Sequence, residues 1–118
     1  MCGIVAFKGD KKITSKVIFD GLELLEYRGY DSCGIGVIDD NEIKTFKWKG
    51  RVKKTKKKFN HSNIKSSIAI GHTRWATHGE PNDTNSHPIK SFNGEFAIVH
   101  NGIIENYKEL KKILQKKA

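Results

Sequence analysis

A chain of 118 residues with 36% hydrophobic and 30% charged residues can bury one modest core, and none of its apolar runs is long enough for a membrane-spanning helix. Cys2 and Cys33 are too few for a disulfide framework, and Met1-Cys2-Gly3-Ile4-Val5 lacks the basic-then-apolar pattern of a secretory signal, so a reducing, cytoplasmic setting is expected. The net charge of +9 is concentrated in the run from Lys53 to Lys58 and the tail from Lys108 to Lys117. These runs are almost pure lysine, with Phe59 the only aromatic beside the first, which predicts a solvated surface rather than a nucleic-acid interface.

In chain order, Gly3 to Phe7 is a short apolar run ended by Lys8-Gly9-Asp10, which predicts a buried strand and then a turn. Val17, Ile18, Leu22 and Leu25 recur at helical spacing between Thr14 and Glu26, and Arg28-Gly29 ends the pattern. Gly34 to Ile38 and Ile43 to Trp48 flank Asp39-Asp40-Asn41-Glu42 as the arms of a hairpin. The lysine run from Arg51 to Phe59 suits a surface helix, and Ser67 to Ile70 and Phe96 to Val99 are further short strands. A helix from about Asn106 places Tyr107, Leu110, Ile113 and Leu114 on one face. Strands that do not alternate strictly with helices predict an α+β sandwich rather than a doubly wound sheet.

Loss of the initiator Met1 would leave Cys2 with a free α-amino group. Thiol and amine on one residue form a compact nucleophile–base pair, because cysteine attacks as the thiolate and an α-amine titrates at about 7.7–8.0. A buried cysteine at a strand start is the ordinary alternative. Three segments rich in glycine and polar residues lie between the strands and are expected outside the core: Tyr27 to Gly34, Gly71 to Pro88, and His100 to Tyr107. Arg74 could equally be a surface ion-pairing residue, Asn101-Gly102 an ordinary turn, and His78 and His87 plain loop histidines. The spacing of His72, His78, His87 and His100 gives no short ligand pair, so no metal site is expected.

Taken together, Cys2-Gly3-Ile4, Arg28-Gly29-Tyr30-Asp31-Ser32, Arg74-Trp75-Ala76-Thr77-His78-Gly79 and His100-Asn101-Gly102 resemble the N-terminal glutaminase domain of the glutamine–fructose-6-phosphate amidotransferases. These belong to the class II, or N-terminal-nucleophile, amidotransferases. The resemblance runs from Cys2 to about Leu114 and implies the αββα sandwich of N-terminal-nucleophile hydrolases, with no cofactor. It implies that Cys2 attacks the side-chain amide carbon of glutamine, its own amine handling the proton. Asn101, by its side-chain amide, and Gly102, by its backbone N–H, would form the oxyanion hole. Arg74 would grip the α-carboxylate of glutamine, joined in substrate binding by Trp75, Thr77 and His78. Arg28 and His87 would support the site.

Domains of that family continue past Ala118, and the continuation carries a carboxylate for the α-amino group of glutamine. Residues 1–118 are therefore expected to form a partial glutaminase domain, the sandwich incomplete at its C-terminus, completed by a partner chain or a second copy. Fructose 6-phosphate would be met only through domains absent from this sequence. Two other functions compete: an inactive truncated or split-gene remnant, and a basic interaction module. Cys33, where the family commonly has alanine, is small enough to pack and implies no second nucleophile.

Overall fold

The computed structural model describes residues 2–28, 31–59, 64–75 and 85–118. The elements are β1 (Gly3–Thr14), α1 (Ser15–Leu24), a 3-10 turn (Glu26–Arg28), β2 (Ser32–Asp39), β3 (Glu42–Lys49), α2 (Val52–Lys58), β4 (Lys65–Arg74), β5 (Ile89–Lys90), β6 (Ala97–Ile98) and α3 (Tyr107–Lys117). Four strands form an antiparallel sheet in the order β1-β4-β2-β3, and β5 and β6 form a separate antiparallel pair. The class is α+β, as expected.

Alternation along the strands gives the sheet two different faces. Val5 and Phe7 of β1, Cys33, Ile35 and Val37 of β2, and Ala69 of β4 point to the core, where they meet Ile18, Phe19 and Leu22 of α1 and Val52 of α2. Gly71 lies beneath α1: an added Cβ would fall 2.7 Å from Ile18 and 3.1 Å from Leu22, so its bareness lets the helix sit down on β4. Ile18, Phe19 and Leu22 are essentially fully buried, each contributing about 1.5–3 kcal/mol of apolar transfer. Phe19, outside the predicted apolar set, does more than Val17, which is half exposed. Its ring packs 5.4 Å from both Trp48 and Phe59, closing the core at the β3 side. Lys56 fastens α2 to α1 by ion pairs to Asp20 and, at 2.8 Å, to Glu23.

Three sequence expectations are corrected by the pairing. The turn at Lys8-Gly9-Asp10 is instead strand, because β1 runs on to Thr14. Lys8 pairs with Ile68 and Ile13 with Ser66, so residues 9–12 stand opposite Ser67 alone, and the surplus is absorbed as a bulge. The strand from Ser67 to Ile70 extends through Gly71-His72-Thr73-Arg74, and Ser32-Cys33-Gly34 likewise belongs to β2. The polar residues here were expected outside the core, yet Ser32, His72, Thr73 and Arg74 are all buried, while Cys33 packs into the core as its size allows. β4 and β2 are the inner strands, so their backbones are paired on both sides whatever the side chains. The hairpin is as expected: Asp40 and Asn41 take positive φ values of 49° and 62°, the pair of left-handed residues a two-residue turn requires. In α3 the aligned apolar residues are present but unburied, with Leu110, Ile113 and Leu114 all exposed. No helix among the described residues is long and apolar enough to cross a membrane.

Candidate functional site

The second face of the sheet, the one away from α1, carries Ile4, Ile68, His72 and Arg74 by the same two-residue alternation. Where β1 begins and β4 ends, this face opens into a cavity of about 310 Å³. Its lining joins Cys2 from the start of β1, His72, Arg74 and Trp75 from the end of β4, His87, and His100, Gly102, Ile103, Ile104 and Tyr107 from the approach to α3. The lining gathers residues up to 105 positions apart in sequence, Cys2 and Tyr107, and the pairing of Gly3 opposite Thr73 brings Cys2 to the end of β4.

Cys2 is held from several sides. The Gly3 N–H donates to Thr73 Oγ1 at 3.1 Å, which fixes the backbone just after it. The Trp75 N–H donates to Cys2 Sγ at 3.3 Å, and Asn101 Nδ2 donates to the Cys2 carbonyl oxygen at 3.1 Å. The sulfur therefore sits at the cavity with a backbone donor on one side and a side-chain amide beside its main chain. The other cysteine is chemically quiet, since burial pushes the Cys33 thiol up to about 12.

Asn101 is held at its other end by His72, whose Nε2 lies 2.7 Å from Asn101 Oδ1. The His72 ring stacks on His87 with centroids 4.4 Å apart and planes inclined by 23°. His87 Nδ1 accepts from the His100 N–H at 3.2 Å. Gly102 follows at φ 147°, a conformation that favours glycine, so the chain turns here with no side chain between its backbone and the cavity. Arg74, 8% exposed, brings a permanent positive charge to the lining. The cavity suits an anionic group beside a neutral polar one.

Burial lowers the His72 imidazole below its usual value, the hydrogen bond to Asn101 pulling the other way. Burial, with the neighbouring charges of His72 and Arg74, takes His87 down to about 4. The His87 ring stays neutral in the fold where a free imidazole, at about 6.5, begins to bind protons, and His72 is shifted in the same direction. The unfolded chain therefore takes up more protons as pH falls through this range. The stabilising effect is complete above about 6.5 and is lost as pH falls towards about 4. Thermal melts from about pH 7 down to about pH 4.5 should show a falling Tm, and His87→Gln should flatten that dependence.

Of the residues expected from sequence, Cys2, Arg74, Trp75, His87 and Gly102 line the cavity, and Asn101 bonds directly to Cys2. Arg28 ends the 3-10 turn after α1 and is not among the described lining residues. Thr77 and His78 fall outside the described residues. His72, Thr73 and His100 were missed as site residues. A strand reading of Gly71 to Arg74 would have found His72, because alternation puts it on the same side as Arg74.

Comparison with known proteins places this geometry among relatives. The family described as "Glutamine amidotransferase domain" matches residues 51–118. The glutamine–fructose-6-phosphate aminotransferase (isomerizing) of Clostridium perfringens is 54% identical over 118 residues, covering 100% of this chain and 19% of the relative. The enzyme of the same name from Staphylococcus aureus strain N315 is 53% identical over 111 residues, covering 94% of this chain and 18% of its own length. This chain thus spans about a fifth of these curated relatives. Among solved structures, the glutamine phosphoribosylpyrophosphate amidotransferase of B. subtilis superimposes with a TM-score of 0.80 at 28% identity, over 99% of this chain and 25% of that one. A structure described as the allosteric regulatory enzyme of purine biosynthesis gives 0.78 at 26% identity, again over 99% of this chain and 25% of the other.

Proposed function

Because the chain belongs to the glutamine amidotransferase family, we propose that its cavity releases ammonia from the side-chain amide of glutamine, with Cys2 as nucleophile. The observation that carries this reading is the placement of Cys2 Sγ at a cavity shared with Arg74, beside an amide donor from Asn101. The α-amine of Cys2 takes the thiol proton, Sγ attacks the amide carbon, and the carbonyl oxygen becomes an oxyanion. Asn101 Nδ2 has two N–H groups, one of which is engaged by the Cys2 carbonyl, leaving the other for the oxyanion. The backbone N–H of Gly102 is the second donor. Collapse of the adduct expels ammonia once the α-amine of Cys2, freed by removal of Met1, has delivered a proton to it. Water then attacks the γ-glutamyl thioester, giving glutamate and restoring the thiol. Arg74 takes the α-carboxylate, and Trp75, Thr77 and His78 contribute to the same amino-acid site.

The finer reading is that the ammonia passes to fructose 6-phosphate, as the names of the curated relatives describe for those proteins. Residues 1–118 would then serve as part of a glutaminase domain, the sugar phosphate being bound elsewhere in the full-length protein. Glutamate release from glutamine tests the core of the proposal. Intact-mass measurement of protein made in cells should show loss of one methionine, and full activity with Met1 retained would sink the amine's role.

Arg74 and Asn101 should separate in kinetics. Arg74→Lys keeps the charge but loses the planar two-point grip, so the glutamine KM should rise with kcat little changed. Asn101→Ala should lower kcat by about 10²–10³-fold, the cost of one oxyanion donor. Steady-state assays on the two variants check both, and an Arg74→Lys enzyme with unchanged KM would count against the carboxylate assignment.

A further inference from the structure

We propose that His72 is a positioning residue for Asn101, its Nε2–H fixing the side-chain amide so that the nitrogen faces the nucleophile; this rests on the glutamine reading above. The orientation follows from which groups can donate. The backbone carbonyl of Cys2 can only accept, so the Asn101 atom 3.1 Å from it is the nitrogen. The atom 2.7 Å from His72 is therefore Oδ1, which can only accept, so His72 Nε2 carries the proton. In a neutral ring Nδ1 is then bare, and Nδ1 is the buried atom with no hydrogen-bond partner among the described residues. Both ends of the Asn101 amide thus agree on the Nε2–H tautomer.

His72 itself has little freedom to move. It is 1% exposed, belongs to an inner strand paired on both sides, and is backed by the His87 ring. Asn101, by contrast, lies in an exposed stretch outside any helix or strand. Its amide is oriented by contacts at both ends, the Cys2 carbonyl taking the nitrogen and His72 taking the oxygen. Rotated by half a turn, Asn101 would aim oxygen at the Cys2 carbonyl and at a developing oxyanion, repelling where it should donate. His72 transfers the rigidity of β4 to that amide.

The test compares two substitutions in the full-length protein. His72→Phe keeps a flat ring against His87 but removes the donor. His72→Gln places an amide N–H close to where Nε2 stood. His72→Phe should lower kcat by at least about tenfold, bounded by the ~10²–10³-fold cost of losing an oxyanion donor, with the glutamine KM held within about twofold. His72→Gln should recover most of the loss. Imidazole nitrogen NMR of the parent should show His72 with its proton on Nε2, and the Asn101 side-chain amide signals should shift in His72→Phe and return in His72→Gln. Parental kcat in His72→Phe, equal losses in both variants, or a proton on Nδ1 would overturn the proposal. Absence of glutamine turnover in the parent would instead overturn the glutamine reading, with the NMR signals still deciding whether His72 orients Asn101.

Discussion

Replacing Cys2 by alanine should reduce glutamate release by on the order of 10⁴-fold or more while leaving the fold intact. The side chain lost is small and stands at the edge of the sheet, and neither neighbour that fixes the backbone depends on it. Thr73 still accepts from the Gly3 N–H, and Asn101 still donates to the carbonyl of residue 2. The only other described thiol cannot take over, because Cys33 is fully buried and its ionisation is pushed up to about 12. The comparison is a glutamate assay on parent and variant together with a thermal melt. An unchanged Tm with turnover abolished is the expected pair, and substantial residual turnover would remove Cys2 from the mechanism.

A second large effect is expected at Gly34, by a different route. Gly34 is buried in β2, paired with Lys47 on one side and His72 on the other. A Cβ there would fall 2.1 Å from the His87 carbonyl oxygen, far inside contact distance. The obstruction is backbone rather than a flexible side-chain tip, and β2 cannot retreat without breaking both ladders. Gly34→Ala should therefore cost about 3 kcal/mol, at the upper end of overpacking effects. Any relief must come from the segment carrying His87, which would pull that ring off His72. Urea unfolding should show the lost stability, and glutamate release should fall below what the remaining folded fraction explains. Parental stability in Gly34→Ala would mean that this close approach is not maintained.

The parts of the fold legible in the sequence are those where periodicity and turn chemistry coincide. The β2–β3 hairpin is one, because Asp40-Asn41 supplies two residues tolerant of positive φ between apolar arms. The α1 helix is another, though its leading core residue, Phe19, lies beside the spaced aliphatic set rather than in it. What could not be read was the far end of β4. Hydropathy finds strands by apolar alternation, whereas His72, Thr73 and Arg74 alternate in role: Thr73 turns to Gly3, and His72 lies on the cavity face with Arg74. The candidate nucleophile, Arg74, Asn101 and Gly102 were legible as motifs. Their support was not, since it consists of pairing partners, such as Thr73 against Gly3, that exist only once two distant segments lie side by side. The bulge between Lys8 and Ile13 was hidden for the same reason.

The tethering of Cys2 has a consequence for how heat or denaturant would inactivate the protein. Its residue stands just before β1, the outermost strand of the sheet, and the ends of edge strands are among the first places where hydrogen bonds open locally, well before the cooperative unit gives way. Here a fraying of two or three residues would break the Gly3–Thr73 and Asn101–Cys2 bonds together and carry the sulfur out of the cavity. Catalytic competence then tracks a local opening equilibrium rather than global stability. Amide exchange at Gly3 becomes the gauge of the working population, and activity should fade on warming while the signal from the α1 core is still native.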